Sequence, residues 1–427
     1  MEHLLKRRNE VTLSGTKSEV KKPVAKYRTL VHSLLNRLTD SCLVILEGNK
    51  KIVFGDESAP IHGKIVVHDE SFYRDSVLGG SIGAAEAYLD AKWTSPDLTQ
   101  VIRIMARNQP QLEELESKTY FLSKIKNWWL RRQNLNNESG SKRNILAHYD
   151  IGNDMYQRFL DPAMQYSSAI YSPEALTLGE AQKNKMHLIC QRLDIKPDDH
   201  VIEIGTGWGG LAIYMAQEIG CKVTTTTISD AQFEYAQSKV KALNLENKIT
   251  LLKQDYRKLD GKYDKLVSIE MIEAVGHEFL PTFFSKCSSL LKPNGKMLIQ
   301  SITIADGRYE TYRKGTDFIQ KYIFPGGCLP SIAAITAHMS QYTDMVVNEI
   351  QDIGLHYART LKDWNQAFEK SWPELKQLGY SEDFRRLWLF YLCYCEGAFI
   401  ERAISTHHIV ARKPRYLDQN DEAVLDY

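Results

Sequence analysis

The sequence predicts an open α/β sheet in the larger, later part of the chain, preceded by a small α+β domain. Two observations carry the sheet. After His148, short apolar runs alternate with longer amphipathic stretches, the pattern of strands joined by crossover helices. One of those runs, Val201-Ile202-Glu203-Ile204, feeds directly into Gly205-Thr206-Gly207-Trp208-Gly209-Gly210, a glycine turn that opens a helix. A third observation sets the first part aside: before His148 the strands are brief and alternating.

Taken in order, residues 1–132 read as an N-terminal domain. Lys51-Ile52-Val53-Phe54 and Gly63-Lys64-Ile65-Val66-Val67 read as strands, and residues 81–89 as a helix. The segment ahead of it, Met1 to Asp40, is net basic. Trp128-Trp129, flanked by Lys124, Lys126, Arg131 and Arg132, suits either a lipid headgroup boundary or a helix end packed on the domain core. Residues 133–143 contain Asn-Leu-Asn-Asn-Glu-Ser-Gly-Ser, the composition of a linker. The catalytic domain is expected over 144–415, with strands at 200–204, 222–228, 249–253, 265–269 and 296–301 and helices at 209–219 and 230–243. Residues 416–427 form an acidic tail.

Composition narrows the function. The 427 residues are 43% hydrophobic, enough for two cores, and the net charge of +1 argues against a nucleic-acid binder. Seven cysteines with no Cys-x-x-Cys pair argue against zinc and disulfide frameworks and for a reducing cytosol. The charged N-terminus lacks the apolar core of a signal peptide, and no run approaches the ~18 apolar residues of a spanning helix. An enzyme acting on membrane lipid would therefore visit the inner membrane surface from the cytoplasm.

The glycine turn satisfies G-x-G-x-x-G, yet two details favour S-adenosylmethionine over a dinucleotide. Glu203 lies inside the strand just ahead of the first glycine, and the second strand ends in Thr226-Thr227-Ile228-Ser229 rather than in a ribose-binding acid. Ser229 is placed to cap the following helix and Gln232 to reach the ligand. Asp255-Tyr256-Arg257, after the third strand, reads as either an adenine grip or a surface loop. Glu270 and Glu273, three apart, would share one face of a helix, as either a paired-carboxylate acid/base site or one buried and one exposed side chain.

Several ordered segments resemble the cyclopropane fatty acid synthases and the related mycolic acid methyltransferases. They are His148-Tyr149-Asp150-Ile151-Gly152-Asn153, Met164-Gln165-Tyr166-Ser167-Ser168-Ala169, the glycine turn, Gln254-Asp255-Tyr256-Arg257, Glu270-Met271-Ile272-Glu273-Ala274-Val275-Gly276, and the long run from Lys321-Tyr322-Ile323-Phe324-Pro325 to Ser331. Ala87-Tyr88-Leu89-Asp90-Ala91-Lys92-Trp93 is similar to the N-terminal domain of the longer bacterial synthases. The resemblance implies a Rossmann-like class I methyltransferase domain with an inserted helical lid, and the aromatics of residues 303–340 suit either a lid over an acyl tunnel or a helical core patch. It implies transfer of a methylene group from S-adenosylmethionine to the cis double bond of an unsaturated phospholipid acyl chain. Contact with the bilayer as a peripheral membrane protein follows from that substrate. A homodimer is implied by the resemblance alone.

Carried across residue by residue, the donor site comprises Tyr166, Ser167, Glu203, Gly205, Thr206, Gly207, Gly209, Thr227, Ile228, Gln232, Asp255, Tyr256 and Arg257. The resemblance also implies a bound bicarbonate ion as base, held by Glu273, Tyr357, the backbone of Ile302, and Gln300 and Ser168. The family's cysteine is Ser168 here, and its histidine before Thr-Ile is Gln300, which donates hydrogen bonds but carries no charge. Phe-Glu-His-Val-Gly has become Ile272-Glu273-Ala274-Val275-Gly276. A weaker bicarbonate site would favour a methyl- or methylene-branched product. Farther alternatives are a small-molecule methyltransferase and a lipid-binding protein with a vestigial donor site. The aromatic run 387–399 suits tunnel wall or core, and Cys393 and Cys395 suit packing.

Overall fold

The structure, a computed structural model, describes residues 24–109 and 152–417. The segment before Val24, Trp128-Trp129, the linker 133–143, His148 to Ile151 and the tail after Leu417 lie outside the described residues. The chain divides into two compact units. The first takes its described residues from 24–109, Lys314–Pro325 and Leu361–Ala403, and the second from 152–313, Gly326–Thr360 and 404–417.

The first unit holds a four-stranded sheet in the order β2-β1-β3-β4, with β1 Cys42–Glu47, β2 Lys50–Gly55, β3 His62–Val67 and β4 Trp93–Thr94. β1 pairs antiparallel with β2 and parallel with β3. It was not anticipated, because an interior strand need not alternate: Leu43 and Ile45 are fully buried within an unbroken apolar run. The expected helix at 81–89 is the second half of Ser71–Leu89, broken at Gly80 where φ is 58°.

Residues 314–325 and 361–403, expected in the catalytic domain, belong with the first unit. The helix Glu382–Ile400 supplies its core through buried Phe384, Trp388 and Phe399. The Phe390 ring lies 5.4 Å from Tyr88 and 4.7 Å from Phe318. Thr99 donates to Glu396 at 2.8 Å, and Arg103 and Arg107 both pair with Glu401. The aromatic run is therefore core, and Cys393 is buried within it. Helical periodicity reveals an apolar face but not which partner covers it.

The second unit carries a seven-stranded sheet in the order β10-β11-β9-β8-β5-β6-β7. Its strands are β5 His200–Ile204, β6 Lys222–Thr227, β7 Ile249–Lys253, β8 Tyr263–Ile269, β9 Leu291–Ile304, β10 Val346–Asp352 and β11 Ile404–Arg412. β5 to β9 run parallel, and β11 lies antiparallel between β9 and β10. The first four match the expected strands within a residue or two, and β9 is longer at both ends. Side chains alternate between two apolar layers. Ile202, Leu266 and Ile299 meet Phe283 and Phe284 on one face, while Val201, Val267 and Leu298 meet Leu211 and Met215 on the other. Strand order reverses at β5 and β8, so the ligand crevice is expected at their C-terminal ends.

Candidate active site

The glycine turn leaves β5 at that edge. Gly205 and Thr206 both donate their N–H groups to Thr226 O, at 3.1 and 3.0 Å, which ties the turn to β6. Gly207 has a φ of 52°, and a side chain there would meet nothing within 4 Å, so the space above it is open. Gly210 is different, for a Cβ would lie 2.3 Å from Ala163 O. Glu203 does not face this space. It is buried in the sheet, accepts from the Thr225 hydroxyl at 2.6 Å, and Thr225 bonds Thr206 in turn. Burial pushes its carboxyl up to about 8.

The remaining donor-site residues gather on the same sheet edge, several already engaged. Gly209 heads the helix beyond the turn with a φ of 90°. Thr227 ends β6 and Ile228 follows it, the Thr227 hydroxyl donating to Gln232 Oε1 at 3.0 Å. Ser229 caps the helix Asp230–Ala242 through the N–H of Gln232, as expected. Asp255 caps the short turn at Tyr256–Lys258 and pairs with Arg257 at 2.6 Å, while Tyr256 packs its ring on Phe283. Tyr166 lies against Tyr156, with ring centroids 5.2 Å apart. Ser167 accepts from Lys185 Nζ at 2.7 Å. An open cradle over Gly207 with polar groups from three adjoining strand ends fits an S-adenosyl donor.

Glu270 follows β8, and Glu273 lies in the tight turn Ile272–Ala274. They do not share an α-helical face. Glu270 itself adopts a left-handed φ of 48°. Its Oε1 accepts from the Ser168 N–H at 3.0 Å and from Gln300 Nε2 at 2.7 Å. Its Oε2 accepts from the Tyr357 hydroxyl at 2.8 Å. Burial raises the Glu270 carboxyl, and the Ser168 N–H, Tyr357, Gln300 and the charge on Lys185 draw it back down.

Glu273 is held differently. The Ile302 N–H donates to its Oε1 at 2.5 Å, while its Oε2 is buried with no hydrogen-bond partner among the described residues. Burial, then the neighbouring Glu270 charge, pushes its carboxyl up to about 8. The two carboxyls titrate as a coupled pair, and the burial and like charge that raise Glu273 favour a proton on it.

Sequence reasoning missed three residues behind this cluster. His408 on β11 lies opposite Gln300 on β9 and contacts its Oε1 at 2.8 Å. Arg192 contacts His408 Nδ1 from the other side. Nothing in the polar-looking run Ile-Ser-Thr-His-His marks β11 as an interior strand. Lys185 could have been found, since it sits in a row with Ala181 and Ile189 on the buried face of the helix Leu178–Leu193. Burial pushes its ammonium down to about 8.

The bicarbonate set does not come together around a vacant centre. Tyr357, Gln300 and the Ser168 N–H all end on Glu270, and the Ile302 N–H ends on Glu273. The Ser168 hydroxyl turns away to Ala169 O. These residues do not fit a bound bicarbonate.

Comparison with known proteins agrees with the fold. Residues 136–409 match the Mycolic acid cyclopropane synthetase family. The chain is 36% identical over 357 residues to the cyclopropane-fatty-acyl-phospholipid synthase of Escherichia coli K12, covering 83% of this chain and 88% of that protein. It is 35% identical over 327 residues to the tuberculostearic acid methyltransferase UfaA1 of Mycobacterium tuberculosis, covering 75% and 76%. Among solved structures, mycolic acid cyclopropane synthase CmaA1 complexed with SAH and CTAB superposes with a TM-score of 0.59 at 28% identity, covering 64% of this chain and 98% of that one. The chain thus belongs to the mycolic acid cyclopropane synthetase family and is an S-adenosylmethionine-dependent transferase with a class I methyltransferase fold.

Proposed function

We propose that this protein transfers one carbon from S-adenosylmethionine to the cis double bond of an unsaturated phospholipid acyl chain and closes a cyclopropane ring. The observation that carries the reading is the buried carboxylate pair, Glu270 and Glu273, at the switch point beside the glycine turn. The donor, when bound, supplies an electrophilic methyl group. An alkene that attacks it becomes a carbocation, which persists only where water is kept out and which needs a base to remove a proton. Glu270 meets that need as a desolvated carboxyl acceptor oriented by three hydrogen bonds. The nearness to the Escherichia coli synthase supports the phospholipid substrate.

A second product is favoured by one observation. UfaA1 is nearly as similar as the synthase and is named a tuberculostearic acid methyltransferase rather than a cyclopropane synthase. A carbocation that first shifts a hydride and then loses a proton from the new methyl gives a methylene-branched chain from the same site.

The substrate places the enzyme at the membrane surface, with the basic N-terminal segment and Trp128-Trp129 as contacts on the cytoplasmic side. Among the described residues no helix is long and apolar enough to cross a membrane. The test is to incubate the protein with S-adenosylmethionine and monounsaturated phospholipid vesicles and analyse the fatty acids by mass spectrometry and NMR. A gain of CH₂ with ring-proton signals supports cyclopropanation. A gain without them selects the branched product, and no lipid product rejects the acyl substrate.

A further inference from the structure

The donors that the family resemblance assigns to a bound anion are occupied by part of the protein. The Ser168 N–H, Gln300 Nε2 and the Tyr357 hydroxyl contact the two Glu270 oxygens at 3.0, 2.7 and 2.8 Å. A glutamate carboxylate and a bicarbonate ion present the same O–C–O edge to hydrogen-bond donors. One set of three donors holds one such edge.

Two further features mark Glu270 as built for this place. Its backbone adopts a φ of 48°, a conformation that an L-residue with a long side chain rarely takes. Its orienting partners are themselves oriented. Arg192 can only donate, so His408 Nδ1 accepts from it and His408 Nε2 carries the hydrogen that meets Gln300 Oε1. The Gln300 amide is thereby turned with its NH₂ toward Glu270.

We propose that Glu270 is the catalytic base of this enzyme, a carboxylate fixed to the chain in the position that a diffusible anion would otherwise fill. The proposal rests on the acyl-chain reading above. The alkene's π electrons bond to the donor's methyl carbon as its bond to sulfur breaks and S-adenosylhomocysteine leaves with that electron pair; a C–H bond of the transferred methyl then breaks. Its electron pair forms the third side of the ring, and the proton passes to a Glu270 oxygen. Glu270 then returns the proton to solvent, and no co-reactant besides the methyl donor is consumed. Glu273, already protonated at neutral pH, does not compete for it.

The experiment uses the full chain, the Glu270→Gly and Glu270→Gln variants, S-adenosylmethionine and monounsaturated phospholipid vesicles, in carbonate-free buffer and in millimolar sodium bicarbonate. Glycine suits the left-handed backbone and opens a carboxylate-sized space among the three donors. Glutamine keeps the shape without the charge. The unsubstituted enzyme should turn over equally in both buffers. Each variant should fall by about 100-fold or more, and bicarbonate or formate should restore Glu270→Gly but not Glu270→Gln. A binding readout needs neither donor nor lipid: the NMR signal of ¹³C-bicarbonate should broaden with Glu270→Gly and not with the unsubstituted protein. Should Glu270→Gly fail to fold by circular dichroism, Glu270→Gln and the buffer comparison decide the matter. Bicarbonate-dependent turnover or bicarbonate binding by the unsubstituted protein, or full activity in Glu270→Gln, would overturn the proposal. If no form yields a lipid product, the acyl-chain reading fails, while the bicarbonate titration still decides who occupies the three donors.

Discussion

His408 Nε2 stands 2.8 Å from Gln300 Oε1, and this contact decides which end of the Gln300 amide faces Glu270. Burial, then the charges of Arg192 and Lys185, hold His408 well below its ordinary pKa, so the ring stays neutral with one defined hydrogen. His408→Ala should free the amide to rotate and present its carbonyl to the carboxylate. Turnover should fall by about tenfold, the equivalent of one hydrogen bond to a charged group, with donor affinity by calorimetry unchanged. Loss of donor affinity instead would place His408 in donor binding.

Tyr357→Phe removes the donor on Glu270 Oε2. The charged form loses support, so the Glu270 pKa rises further. A base is active above its pKa and silent below it, so the acid limb of the pH–rate profile should move to higher pH by about one unit. Lys185 and Glu273 flank the same carboxylate and stay in place. An unmoved acid limb would detach Tyr357 from this ionisation.

Glu203, raised by burial to about 8, is protonated in the folded chain across the range where an unfolded glutamate has lost its proton. The folded state then binds more protons, so stability should decline from about pH 4.5 to about pH 8, by at most ~1.4 kcal/mol per unit for this group. Glu203→Gln should flatten that decline in melting curves recorded without the donor. An unchanged slope would assign it to other groups.

Gly210→Ala puts a methyl group 2.3 Å from Ala163 O and from Gln165 Nε2. The backbone oxygen cannot yield cheaply, so a destabilisation of about 1–3 kcal/mol is expected, read as a lower denaturation midpoint together with weaker donor binding. A variant as stable as the parent would mean that the 163–165 segment moves freely.

The parallel sheet was legible because β5 to β8 are buried apolar runs bounded by turn residues, and the turn after β5 announces itself by its glycines. β11 was not, since Thr406 and His408 are fully buried yet polar, and their partners across the sheet cannot be read from a single strand. The residues of the acid/base cluster were also legible, but not their pairing. Ser168, Gln300 and Tyr357 were expected around a bound bicarbonate, and their hydrogen bonds end on Glu270 instead. That arrangement depends on a left-handed backbone turn at Glu270 itself, which sequence spacing does not encode.

The first unit is assembled from pieces that the ribosome delivers far apart. Its sheet is complete once Thr94 has been made, but the helix that fills its core ends at Ile400. Until then the Tyr88 ring lacks its neighbour Phe390, and that core stays open until the last of its helices has emerged. The N-terminal piece cannot be excised as an autonomous module, and a chain truncated after the first sheet would expose an apolar face to chaperones. Synthesis and completion of the fold are thus nearly simultaneous events for this half of the molecule.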